Sequence, residues 1–220
     1  PYQYLVDDHS VQGPFFQGFK DKWHYTQVGA RAYACSDFTF KKGLISYKQD
    51  KEHNLQMADG IWVADSFKQT LMQAITHSEM NPKRYLQSNI GFVLLQQVVE
   101  TIMGMPLHHY LYAQFFEPME LAYTLYHPIQ KYNKNEIVPP VANEYLRRQD
   151  IHGYVHDEIA ACWGGVAGNA GLFSTAQEIC ASHSMLLKKG VYKGKRYLKA
   201  ETCRFFTTEQ SYICRLYTSD

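Results

Sequence analysis

The sequence predicts a mixed fold, α/β of the α+β kind, and three observations carry this. Apolar residues recur at helical spacing over long stretches, above all from 89 to 103. Between them lie short β-type pieces with turn signals, such as 191–198 around Lys193-Gly194. Glycine clusters in one block, with five glycines in the nineteen residues 153–171, so tight turns and close backbone approach are needed there. A chain of 220 residues is long enough to bury a core of its own.

Residues 1 to about 60 show no clear period. Tyr2, Tyr4, Phe15, Phe16, Phe19 and Trp23 fall among Gly13, Pro14 and Gly18, which reads as a long packed loop with short strands. Asp59-Gly60 is a turn signal. Asp65 or Ser66 then caps a helix whose stripe is Phe67, Leu71 and Ile75, ending before Pro82. The clearest helix follows, with Ser88 or Asn89 as N-cap. Its predicted core stripe is Ile90, Val93, Leu94, Val98 and Ile102, and its wet edge is Gln96, Gln97 and Glu100. Gly104 stops it and Pro106 opens a second helix to Phe116.

Residues 125–150 read as loop, with Pro128, Pro139 and Pro140. After the glycine block, Ser174 or Thr175 caps a helix, with Glu178 placed for a capping box. That helix carries Ile179, Met185, Leu186 and Leu187 and stops at Gly190. A hairpin over 191–198 and a short helix over 199–207 complete the elements.

Composition narrows function. A formal net charge of +1 makes no case for nucleic acid or an acidic partner. No run of 18 apolar residues exists, so no membrane span is predicted in this chain. The five cysteines form no CxxC pair and read mostly as small buried residues. Aromatics reach 15%, which suits a peptide- or glycan-facing cleft, and tyrosine-rich surfaces also occur without a ligand. No GxxxxGK[ST] is present, so the glycine block is not a phosphate cradle. His152 and His156 are four apart beside Asp157, but Gly153 and the β-type Tyr154-Val155 argue against the helix that a metal pair would use. Neither a metal nor a cofactor is predicted. From the residues alone, His156 and Asp157 read as a loop-fixing hydrogen-bond pair.

The polar triplet Gln87-Ser88-Asn89 precedes a long helix, where the partly positive helix end suits a carbonyl or an anion. The structural alternative is a capped core helix. The triplet runs on through Phe92-Val93-Leu94-Leu95, Gly104-Met105-Pro106-Leu107 and Phe115-Phe116-Glu117-Pro118-Met119-Glu120-Leu121. A second block reads Gly153-Tyr154-Val155-His156-Asp157, then Gly164-Gly165-Val166-Ala167-Gly168-Asn169-Ala170-Gly171-Leu172-Phe173-Ser174-Thr175-Ala176. In this order these motifs resemble the serine β-lactamase-related family, of class C β-lactamase and penicillin-binding-protein type. They are similar to its branch fused to family-three β-N-acetylglucosaminidases in Bacteroidetes-type bacteria.

The resemblance implies an α/β sandwich in the whole protein, of which residues 1–215 form a part, mainly the helical lobe. The family's Ser-x-x-Lys nucleophile is expected upstream and its Lys/His-x-Gly strand downstream. None of the eleven serines here is followed by lysine three positions later. Residues 216–220 read as a non-native tail. The implied reaction is acyl transfer through a serine ester on a peptidoglycan-like amide, a β-lactam or an ester, in the periplasm or cell envelope, with no cofactor. Gln87 stands where the family has its catalytic tyrosine, and Asn89 at its catalytic Asn/Asp position. Ser88, His156, Asp157 and Asn169 are the implied substrate-binding residues, Asn169 replacing the family's usual histidine. An amide cannot titrate like a phenol. The resemblance therefore leaves two readings: a serine hydrolase, or a non-catalytic wall-binding module attached to a glycosidase.

Overall fold

The computed structural model describes residues 25–29, 32–35, 40, 42–77, 89–144 and 146–208. It is a mixed α+β structure in two compact units. The first takes its described residues from Pro1–Met80 and His127–Gly171, the second from Asn81–Tyr126 and Leu172–Asp220.

The first unit carries the sheets expected of its early residues. β1 (Tyr25–Gly29) and β2 (Ala32–Cys35) pair antiparallel. β3 (Ile45–Ser46), β4 (Leu55–Ala58) and β5 (Ile61–Val63) form a three-stranded antiparallel sheet in the order β3-β5-β4. The β4–β5 turn is at Asp59-Gly60, with Gly60 at φ 66°. Met57, Ala58 and Val63 are fully buried on this sheet. α1 (Phe67–Thr76) follows, burying Phe67 and Leu71 as its stripe predicts. Ser66 is its N-cap residue, without a side-chain cap bond.

Residues 125–150 hold more structure than a loop. Two 3-10 turns, Pro128–Gln130 and Lys134–Glu136, precede the hairpin of β6 (Val141–Glu144) and β7 (Gln149–Ile151). The sequence hides this hairpin because the charged Glu144 and Arg147 are buried in it while Ala142 and Asn143 are exposed, so no apolar alternation marks the strands. A further helix absent from the sequence reading, α4 (Glu158–Cys162), lies against β4 and buries Ala160, Ala161 and Cys162.

The second unit begins with α2 (Asn89–Met103), whose start and end are as predicted. Gly104 closes it at φ 64°, its N–H donating to Glu100 O at 2.9 Å. The buried side of α2 is different from the predicted stripe. Only Val93 of that stripe is buried, and Gln96, expected at the wet edge, is 3% exposed. Leu94, Leu95, Val98 and Ile102 are exposed. The physical reason is local: Glu100 accepts from Gln96 Nε2 at 3.1 Å, from Gln97 Nε2 at 3.2 Å and from Leu107 N at 2.9 Å. The carboxylate thus ties the polar edge of α2 to the free N–H at the start of α3 (Leu107–Leu111). The predicted second helix continues from α3 as a π-helical turn, Tyr112–Phe116, with Glu117 N bonded to Tyr112 O at 3.0 Å.

Phe116, Met119, Leu121 and Met185 form the core of this unit, with Tyr197 and Leu198 packed against it. α5 (Ala176–Leu187) supplies Met185, while its Ile179 and Leu187 are exposed. Thr175 is the α5 N-cap, its Oγ1 accepting from Glu178 N at 3.4 Å. The predicted capping box is only half realised. The Glu178 carboxylate accepts instead from Tyr123 N at 3.0 Å and from Thr124 Oγ1 at 2.6 Å. β8 (Val191–Tyr192), β9 (Lys195–Arg196) and α6 (Ala200–Thr207) follow as the sequence indicates. Among the described residues no single helix is long and apolar enough to cross a membrane; α2 and 107–116 pass that test only as a pair bent by 71°.

Candidate functional site

Gln87 and Ser88 lie outside the described residues. Asn89 is the first residue of α2 and is half-buried. It belongs to the second unit, whereas His156, Asp157 and Asn169 belong to the first.

The best-defined part of the site is the segment Val155-His156-Asp157. Its far end is fixed by Asp157, the N-cap of α4, whose Oδ1 accepts from Ala160 N at 2.8 Å. Its near end is fixed by Arg147. The Arg147 Nη1 donates to Val155 O and Nη2 to His156 O, each at 2.7 Å. The His156 side chain is exposed. So this segment presents an imidazole to solvent from a backbone held at both ends. Asp157 thus fixes the start of α4 through a backbone N–H, a helix-cap role that is neither of the two readings the sequence offered.

Arg147 and Glu144 were not singled out from sequence. Both are buried, and Arg147 Nε donates to Glu144 Oε2 at 2.8 Å. Glu144 also accepts from Leu146 N at 3.0 Å and from Arg147 N at 2.8 Å. A signal existed in the i, i+3 pairing of opposite charges. Most such pairs are solvated, so spacing alone does not mark a buried one.

His152 is not joined to His156. Its Nε2 lies 2.6 Å from Ile137 O. A carbonyl only accepts, so Nε2 donates and the ring pins a loop. Among the described residues no group of three or more His, Cys, Asp or Glu side chains is assembled to hold a metal ion.

Asn169 sits on a tight turn closed by two backbone bonds, Ala167 N to Ala170 O at 3.2 Å and Ala170 N to Ala167 O at 3.3 Å. The residue is half-buried and its Oδ1 is a buried acceptor without a hydrogen-bond partner. Such an atom carries an unmet desolvation penalty until a donor reaches it. The glycines before this turn permit close packing. A Cβ on Gly165, at φ 83°, would lie 2.6 Å from His127 Cε1. Burial of the His127 ring holds its pKa below the ordinary histidine value, so the ring against Gly165 favours the neutral form.

Tyr154 is buried beside this segment and donates its hydroxyl to Asp59 Oδ1 at 3.0 Å. Burial first, and then the Asp59 charge, push its phenol far above the ordinary tyrosine value. Tyr154 is therefore a hydrogen-bond donor and not a base. In the second unit, exposed Ser174 meets Thr124 through their hydroxyls at 2.8 Å, and Thr124 in turn donates to Glu178.

No protein-family model matches the chain. Individual proteins do. The chain is 29% identical over 208 residues to a protein of Escherichia coli named "Putative D-alanyl-D-alanine carboxypeptidase", covering 88% of this chain and 48% of that one. A protein of the same name from Salmonella gallinarum is 29% identical over 223 residues, covering 94% of this chain and 50% of its own length. The N-acetylmuramyl-L-alanine amidase of Bacillus subtilis is 32% identical over 136 residues, covering 56% of this chain and 31% of its own length. The chain thus spans about half the length of the first two of these relatives.

Proposed function

We propose that this chain is part of a cell-wall hydrolase of the bacterial envelope that cleaves an amide bond in the peptide of peptidoglycan, next to D-alanine. The observation that carries this reading is the similarity over 88% of the chain to a protein named for D-alanyl-D-alanine carboxypeptidase activity. The similarity to an N-acetylmuramyl-L-alanine amidase supports the coarser part, an amide of the cell wall.

The finer part of the proposal is the route: acyl transfer through a serine ester to water, in the manner of the serine β-lactamase-related enzymes. A peptide amide or a β-lactam would acylate the serine, and water would release the acid. In this reading Asn89, at the start of α2, orients the reacting amide. Gln87 and Ser88 stand beside it in sequence, with Gln87 limited to hydrogen bonding because its amide does not titrate in the working range. His156 and Asn169 meet the substrate: His156 offers an exposed ring, and Asn169 Oδ1 offers an acceptor for a peptide N–H. Asp157 fixes the loop that carries His156.

The test is the polypeptide encoded by the whole gene, assayed for release of D-alanine from a diacylated lysyl-D-alanyl-D-alanine peptide. Release with a burst of covalent acyl-enzyme is the expected result. Release without a covalent intermediate would sink the serine route and keep the hydrolase. A second reading, a wall-binding module without catalysis, is favoured by one observation: glutamine stands at position 87 where a titrating tyrosine would be needed. Saturable binding of the same peptide without turnover, unchanged in kind by Gln87→Tyr, would select it.

A further inference from the structure

We propose that Arg147 is a positioning residue, whose guanidinium sets the backbone that presents His156 to the substrate. The proposal rests on the reading above, in which His156 meets the peptide.

The geometry is unusual for an ordinary ion pair. Arg147 and Glu144 have side-chain exposures of 0% and 1%. Glu144 first builds the turn that carries the arginine, accepting from the N–H groups of Leu146 and Arg147 at 3.0 and 2.8 Å. It then accepts from Arg147 Nε at 2.8 Å, which orients the guanidinium plane. The two remaining nitrogens reach successive carbonyls, those of Val155 and His156, both at 2.7 Å. A longer contact at 3.4 Å runs from Nη1 to Met57 O on β4.

Successive carbonyls of an extended chain point to opposite sides. Two of them meeting one guanidinium means that 155–156 is bent out of strand geometry, and the segment is indeed not a strand. The bend places the His156 ring outward and delivers Asp157 to cap α4. Only a planar, multi-donor cation reaches both oxygens and the carboxylate together; an ammonium is a single point.

Stability alone does not account for this arrangement. A buried ion pair is commonly no more stable than a well-packed apolar pair of the same size, because desolvation offsets the attraction. A fixed backbone geometry is what the apolar pair would not supply.

The test compares three proteins with the wild type: Arg147→Lys, the double variant Glu144→Gln with Arg147→Met, and the control His156→Ala. Carbonyl carbon resonances of Val155 and His156 report the backbone. Titration of amide resonances with N-acetyl-D-alanyl-D-alanine reports binding. The expected result is that both Arg147 variants stay folded, the two carbonyl resonances move, and affinity falls about tenfold. His156→Ala should lose affinity with the Val155 carbonyl resonance close to its wild-type position. Folded Arg147 variants with wild-type carbonyl resonances and wild-type affinity would overturn the proposal. Unfolding of both variants would overturn it too, making Arg147 a residue of the fold alone. Absence of probe binding by the wild type, together with moved carbonyl resonances, would fail the functional reading and retain Arg147 as the holder of this segment.

Discussion

His53 lies between two acceptors. It is 9% exposed, with Nδ1 at 2.8 Å from Asp50 Oδ1 and Nε2 at 3.1 Å from Gly43 O. A ring facing acceptors on both nitrogens is best satisfied when both carry hydrogen, which is the charged form. The hydrogen bond to Asp50 is the largest cause that raises the His53 pKa, with burial opposing it. The same bond lowers that of Asp50. The raised histidine value means that its stabilisation is complete below the ordinary value of 6.5 and is lost as pH rises through the folded value. The lowered carboxylate value means that its stabilisation is present above the ordinary value of 3.8 and is lost as pH falls through the folded value. The melting temperature should therefore carry a contribution from this pair that is largest between those two ordinary values. His53→Ala should flatten that part of the profile, and the imidazole proton resonance of His53 should titrate above 6.5. A midpoint below 6.5 would remove the ion pair from the account. At this scale the sequence said little. Asp157 was not legible as a helix cap, because the five-residue α4 behind it is too short to show a period. Arg147 was not legible either, because whether a charge is buried depends on segments far along the chain, here Met57 and 155–156.

The end of α5 shows what a turn can demand of one position. Gly190 has φ 88° and its N–H closes the helix on Met185 O at 2.9 Å. Its carbonyl accepts from Tyr197 N at 2.8 Å, which folds the β8–β9 hairpin back on the helix end. A Cβ there would lie 2.1 Å from Leu198 O. Gly194, at φ 80° in the hairpin turn, has open space around a Cβ. Gly194→Ala should thus lose only the backbone preference, about 1 kcal/mol. Gly190→Ala should lose about 3 kcal/mol or more, because the backbone must also move. Urea denaturation of the two variants reads the difference, and equal losses would mean that the Leu198 contact yields freely. Gly190 was legible as a helix stop and Gly194 as part of a hairpin turn, since both are local patterns. The orientation of α2 was not. Its period correctly located an apolar stripe, but a stripe states only that a helix has an apolar face. In this chain the contacts made by Glu100 and the burial of Val93 and Gln96 turn inward the border between that stripe and the polar edge. Leu95 and Ile102 remain 58% and 74% exposed.

At the scale of the whole chain, the relatives' names refer to cell-wall chemistry, while no family model matches the motif order read from the sequence. The order does not supply a nucleophile. No serine here is followed by lysine three positions later. The described serine best placed to tempt a chemist is Ser174, exposed and 2.8 Å from Thr124 Oγ1. Thr124 spends its own hydrogen on Glu178 at 2.6 Å, so its oxygen is left to accept from Ser174. A threonine in this position cannot keep the proton that an attacking serine would shed, since its hydroxyl already holds one and has no useful basicity. The Glu178 carboxylate is reached through Thr124, whose hydroxyl stands between it and Ser174 in the hydrogen-bond chain. Ser174 is thereby anchored and not activated. The purified 220-residue chain should show no covalent labelling by a fluorescent penicillin, while the polypeptide of the whole gene should label at a serine outside these residues. Mass spectrometry of labelled peptides decides the matter. A label on Ser174, abolished by Glu178→Gln and by Thr124→Val, would show that a hydroxyl relay can do what a lysine does in the resembled enzymes, and would move the reaction into this chain.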